Sequence, residues 1–209
     1  MPQQKHYTLL CLGDSYTIGE SVEERERFSE QALDILKSKG IKFEKPKIIA
    51  RTGWTTDELS LAIQEEKLES HYDFVTLLIG VNNQYRGQDL ESYRQEFATL
   101  LQTAIRFAGR NKNHVIVLSI PDWGVTPFVS QDAKKRSSEA ISREIDAFNK
   151  INHEEAEGVG AHYIDITSIS RQVPKDPGLV ASDGLHPSGR MYSGWAKLLA
   201  EKFYSLIRG

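Results

Sequence analysis

Four short segments carry residues capable of acyl-transfer chemistry. Ser15 stands in Gly13-Asp14-Ser15-Tyr16, Gly53 follows Arg51-Thr52, Asn82 stands in Gly80-Val81-Asn82-Asn83, and Asp183 and His186 share Asp183-Gly184-Leu185-His186-Pro187. A serine hydroxyl attacks poorly until a neighbouring base takes its proton. Imidazole serves as that base when a carboxylate accepts its Nδ1–H, which fixes the tautomer and leaves Nε2 facing outward. A three-residue spacing lets a turn fold Asp183 back onto His186. Asp176 is a poorer orienting acid, because Pro177 and the intervening residues limit its reach. Attack on a carbonyl builds a negative oxygen, which the Ser15 N–H, the Gly53 N–H and the Asn82 amide could receive. One such donor is typically worth about 100- to 1000-fold in rate. Each residue also has an ordinary reading: a helix N-cap serine, a turn glycine, a turn asparagine, a solvated histidine. Their joint occurrence is what argues for a site.

The elements that must position them are short apolar strands alternating with amphipathic helices. Residues 7–12, 47–50, 74–79, 115–120 and 162–166 are almost uninterrupted apolar runs rich in β-branched residues, as suits strands buried on both faces of a parallel sheet. Leu90, Tyr93, Phe97, Leu100, Leu101, Ala104 and Ile105 form one helical stripe. Phe28, Ala32, Ile35 and Leu36 form another, which Gly40 terminates; Ile141 to Ile151 and Tyr192 to Phe203 give two more. Pro187 is expected to hold His186 extended and to start the last helix. Strand and helix alternate about five times, which predicts right-handed crossovers and a three-layer α/β/α sandwich around a five-stranded parallel sheet. No linker, repeat or low-complexity tract divides the chain, so residues 1–209 read as one domain. Ligands of such sheets sit beyond the carboxyl ends of the strands. Ser15, Gly53, Asn82 and the Asp183–His186 pair all fall on that edge.

Composition narrows the field. Hydrophobic residues make up 39 % of the chain and charged residues 26 %, with a net charge of −3, a globular balance with no nucleic-acid or anionic-membrane footprint. The single cysteine, Cys11, cannot close an intramolecular disulfide or build a thiolate zinc site, and it reads as a small buried hydrophobe. The six histidines show no His-Glu-x-x-His pairing, so no metal is expected. No Gly-x-Ser-x-Gly elbow occurs, and Gly158-Val159-Gly160 precedes a strand, which makes it a helix stop rather than a dinucleotide loop. No stretch is long enough to span a bilayer, and Met-Pro-Gln-Gln-Lys-His leads straight into a strand without a signal-peptide pattern, so the chain reads as cytoplasmic.

In the same order and at sensible spacing, the four segments resemble the four blocks of the SGNH (GDSL-type) hydrolase family, from the first strand to the last helix. The resemblance implies a flavodoxin-like fold and an esterase, lipase or thioesterase activity needing no cofactor. It assigns Ser15 as nucleophile and oxyanion donor, Gly53 and Asn82 as oxyanion donors, and Asp183 and His186 as the rest of a triad. Two positions depart from the family pattern. Tyr16 replaces the usual leucine after the serine, which alters a pocket wall. Asn83 replaces the aspartate that often follows the block-three asparagine, which removes one negative charge.

The expected substrate is a small-molecule ester. Tyr16, Trp54 and Trp123 are the aromatic candidates for contacting it, with Tyr85 and Phe128 nearby on the same edge; exposed rings there could stack on a sugar or line an acyl pocket. The absence of a strongly hydrophobic lid segment favours short acyl chains, including O-acetyl groups of carbohydrates. A lysophospholipase or thioesterase acting on longer chains, and a non-catalytic glycan-binding module, are the alternatives.

Overall fold

The computed structural model describes residues 5–209. Five parallel strands form the central sheet: β2 (Leu9–Gly13), β4 (Lys47–Ala50), β5 (Phe74–Leu78), β6 (Val115–Leu118) and β7 (His162–Ile164), in the order β4-β2-β5-β6-β7. All residues of β2, β5 and β6 are buried, as expected for strands covered on both faces. Register runs Leu10 opposite Lys47 on one side of β2 and Leu9 opposite Phe74 on the other. The chain leaves β2 to one side, for β4, and returns on the other side at β5. The crevice between their carboxyl ends is therefore a topological switch point.

The first predicted strand divides in two. His6–Tyr7 (β1) pairs with Lys42–Phe43 (β3) in a separate two-stranded ribbon. At Thr8 the Asp73 carboxylate accepts the backbone N–H at 2.9 Å, while the Asp73 N–H donates to Thr8 Oγ1 at 2.9 Å. These bonds replace a ladder step and separate ribbon from sheet.

Helices α2 (Phe28–Ser38) and α8 (Gly189–Arg208) pack on each other, while α5 (Leu90–Phe107) contacts both α3 (Thr56–Glu65) and α6 (Ser138–Val159). Phe28, Tyr192 and Trp195 interlock edge-to-face and tilted between α2 and α8. Gly160, in the left-handed region, ends α6. Short helices α1 (Ser15–Ile18), α4 (Val81–Arg86) and α7 (Thr167–Ser170) follow β2, β5 and β7. Helix α8 begins at Gly189 rather than at Pro187. Pro187 instead bridges Val180, and Ser188 is the N-cap. Cys11 is buried in β2, where burial pushes its thiol up to about 12. Among the described residues no helix is long and apolar enough to cross a membrane.

Candidate active site

The turn after β2 is built by its sequence. A Cβ on Gly13 would collide with the Leu78 carbonyl and the Thr17 hydroxyl, so glycine alone allows this close approach. Asp14 caps α1: its Oδ1 accepts the Tyr16 N–H at 3.0 Å, and its carbonyl accepts those of Thr17 and Ile18. Ser15 is thereby the first residue of α1, where a backbone N–H has no intrahelical acceptor. Asp14 Oδ2 is buried without a hydrogen-bond partner among the described residues, and burial pushes this carboxyl up to about 7.

Across the crevice, the Ser15 hydroxyl lies 3.0 Å from His186 Nε2, and His186 Nδ1 lies 2.6 Å from Asp183 Oδ2. With the ring proton on Nδ1, Ser15 donates to the imidazole and the imidazole donates to Asp183. Asp183 Oδ1 accepts the N–H groups of Leu185 and His186, each at 2.9 Å. The three-residue spacing thus folds as a turn in which one carboxylate holds both the backbone and the ring of the histidine. Partial burial opposes ionisation of Asp183, but hydrogen bonds from Ser21, the Leu185 N–H and His186 outweigh it and hold the carboxyl well below the usual carboxylate range. The His186 carbonyl accepts the Ala181 N–H at 2.8 Å, which anchors the loop. Behind the imidazole, the Tyr16 ring packs edge-on at 5.7 Å.

Asp176 forms an ion pair with Arg190. Ser21, whose hydroxyl donates to Asp183 Oδ2 at 2.6 Å, was not foreseen from the sequence. Nothing in the composition around it distinguishes it from any loop serine.

Gly53 follows β4 with φ +88°, a backbone region that L side chains rarely adopt. Its carbonyl accepts from Arg86 Nη2 at 2.7 Å, and the Trp54 carbonyl accepts from Asn82 Nδ2 at 2.9 Å. Asn82 lies in the first turn of α4 and keeps its second amide proton for another acceptor. Asn83 is buried in a polar network, accepting from the Thr56 N–H at 3.2 Å and donating to Thr56 Oγ1 at 2.6 Å. Thr56 in turn donates to the Glu96 carboxylate, and Gln88 donates to the same carboxylate at 2.8 Å. The charge missing at Asn83 therefore sits one residue further out, on Glu96.

Ser15, Gly53, Asn82 and His186 share one cavity of about 190 Å³. Its apolar walls are Tyr16, Val81, Tyr85, Trp123, Phe128 and Leu185. Tyr16, read from the sequence as part of a pocket wall, and Trp123 both line this cavity, and both rings are buried, at 3 % and 2 % exposure. The Trp123 indole N–H is satisfied by Gln84 at 2.8 Å, and the Arg136 guanidinium lies over the Trp123 ring at 5.2 Å. Trp54 is half-buried against the core and does not line this cavity; it meets the site through its carbonyl. Among the described residues no cluster of His, Cys, Asp and Glu side chains is arranged to hold a metal ion.

The sequence model of the GDSL-like Lipase/Acylhydrolase family matches residues 11–203. Among solved structures, a lipase/acylhydrolase from Enterococcus faecalis aligns with a TM-score of 0.73 at 16 % identity, covering 95 % of this chain and 96 % of that one. TesA aligns at 0.70 and 18 % identity, over 95 % and 99 % of the two chains. An acetylxylan esterase from Geobacillus stearothermophilus aligns at 0.65 and 19 % identity, over 100 % and 97 %. At these identities the structures speak for the fold. Among curated protein sequences, none matches significantly.

Proposed function

The chain belongs to the GDSL-like lipase/acylhydrolase family, enzymes that hydrolyse ester bonds, and from that premise we propose that it is a serine esterase for short acyl groups, acting through Ser15, His186 and Asp183. The observation that carries this reading is the continuous hydrogen-bond chain Ser15–His186–Asp183 opening into a cavity shared with Gly53 and Asn82.

Ser15 Oγ attacks the carbonyl carbon of the ester while its proton passes to His186 Nε2. The resulting imidazolium is stabilised by the Asp183 carboxylate, and the oxyanion is received by the Ser15 and Gly53 N–H groups and the Asn82 amide. As the C–O bond to the alcohol breaks, His186 returns the proton to the departing oxygen and an acyl-serine remains. Water then attacks that ester and gives a proton to His186. The acyl–Oγ bond breaks, the acid leaves, and the proton returns to Ser15. No cofactor enters the reaction.

Size supports the short-chain assignment. Pockets for drug-sized ligands run from about 300 Å³ upward, and this cavity is about 190 Å³. Carbohydrate O-acetyl esters fit such a site, and acetylxylan esterases are among the proteins of similar fold. Its almost wholly apolar wall of Tyr85, Trp123, Phe128 and Leu185 favours a second reading, a somewhat longer acyl chain. A p-nitrophenyl ester series on the wild type and Ser15→Ala, paired with acetate release from an acetylated sugar, tests both. Ser15-dependent activity that peaks at acetate, with sugar deacetylation, supports the carbohydrate esterase. A peak at longer chains transfers the assignment to a lipase or thioesterase. Wild-type activity in Ser15→Ala, or none on any ester, contradicts the proposal.

A further inference from the structure

We propose that Ser21 is a positioning residue for the Asp183–His186 pair, an inference that rests on the triad reading above. Its hydroxyl donates to Asp183 Oδ2, the same oxygen that faces His186 Nδ1, at the same 2.6 Å. Both backbone donors of the turn occupy Oδ1. Ser21 is therefore the group, besides the imidazole, that fixes the oxygen facing the ring.

The backbone supports this role. Ser21 adopts φ +66°, in the left-handed region, without being glycine. Such a conformation is costly for an L residue, and in folded proteins it concentrates where function over-determines the geometry. The preceding turn runs directly from the nucleophile: the N–H groups of Gly19 and Glu20 both bond the Ser15 carbonyl, at 3.1 and 3.0 Å. Ser15 and Ser21 thus lie at the two ends of one compact segment. That segment grips the Asp183–His186 turn at two points, Ser15 to His186 and Ser21 to Asp183, across 171 and 162 residues of sequence. The Ala181 and Phe128 N–H groups, bonded to the His186 and Gly184 carbonyls, hold the backbone of that turn, and the two side-chain contacts act on the imidazole and the carboxylate themselves. Two contacts fix the imidazole's distance and its tilt toward the attacking oxygen, the kind of support shell on which catalytic geometry depends.

The test is a double-mutant cycle with kinetics and thermal melting. Ser21→Ala and Ser21→Gly are each expected to lower kcat about tenfold, the scale of one hydrogen bond to a charged group, with KM changed less than twofold. Ser21→Gly is expected to melt no lower than Ser21→Ala, because glycine relieves the positive φ; a catalytic loss without a folding loss separates positioning from stability. In an Asp183→Asn background, Ser21→Ala is expected to cost less than twofold further. Wild-type kcat in both Ser21 variants overturns the proposal, and so does an equal loss in both backgrounds, which would mean that Ser21 acts independently of Asp183. In either case a large loss in Asp183→Asn alone leaves the triad standing. Wild-type kcat in Asp183→Asn overturns both.

Discussion

Arg86 Nη2 lies 2.7 Å from the carbonyl oxygen of Gly53, and Arg86 stands four residues after Asn82 on α4. One face of a short helix therefore holds two successive carbonyls of the Gly53–Trp54 loop. Glu58 steadies the guanidinium at 3.2 Å. Gly53 has no Cβ and a positive φ, so its backbone turns easily about Cα; the bond from Arg86 fixes the Gly53–Trp54 peptide on one side of that Cα and limits how far the Gly53 N–H on the other side can swing.

Removing that hold should cost rate rather than stability. Arg86→Ala is expected to lower kcat about tenfold, less than deletion of an oxyanion donor outright. Melting should change little, because the Arg86–Glu58 pair is half exposed and such pairs contribute little. Steady-state kinetics with a thermal melt decide the matter; wild-type kcat would show that the Gly53 peptide needs no such support.

Asp183→Asn keeps the shape of the turn but offers an amide where the imidazole needs a carboxylate. Loss of the orienting charge and tautomer is expected to lower kcat by roughly 10³- to 10⁴-fold. Circular dichroism should show a folded protein. A loss within tenfold would mean that another group orients His186.

Asp14 supplies a pH dependence of stability. Its carboxyl titrates at about 7 when folded, against 3.8 as an unperturbed group. Between those values the folded state binds more protons than the unfolded state, so stability is fully present below about 3.8, declines as pH rises, and is lost above about 7. Asp14→Asn, which keeps an oxygen for the Tyr16 N–H, removes this titration. The melting temperature of the variant minus that of the wild type is expected to grow between pH 5 and 8. A constant difference across that range would contradict the assignment.

Asn83 answers for its own departure from the family pattern. It donates to both Thr56 and Gln88, while Glu96 accepts from the same two side chains. A carboxylate at position 83 cannot donate and would face Glu96 across that network. Asn83→Asp is therefore expected to destabilise the protein by about 1–3 kcal/mol in denaturant unfolding. An unchanged or raised unfolding midpoint would show that the network tolerates two acids.

Much of this architecture was legible in the residues. Runs such as Val115–Leu118 are buried on both faces, so their apolar character is continuous and points to a parallel sheet. The long helices α5 and α8 carry broad apolar stripes. Ser15, Gly53, Asn82, Asp183 and His186 could be placed at one edge because each follows a strand or lies in a turn. What escaped had no local signature. The break at Thr8 depends on Asp73, 65 residues away. Helix α4 is six residues long, too short for a periodic pattern. Ser21 and Arg86 reach the site through a hydroxyl and a guanidinium whose targets are decided by tertiary structure. Tyr16, legible as a pocket wall from its place beside Ser15, and Trp123 both line the cavity as buried rings; that they are buried so fully depends on how the loops fold onto the sheet end, which has no local signature.

Activation of Ser15 as a nucleophile underlies every step of the proposed reaction. Its most direct test is intact-mass spectrometry after exposure to a p-nitrophenyl alkylphosphonate, with peptide mapping, on the wild type and on Ser15→Ala. One phosphonyl group per wild-type chain, located on Ser15, is expected, with release of one equivalent of p-nitrophenol and no adduct on the variant. An unlabelled wild type, or equal labelling of the variant, would contradict it.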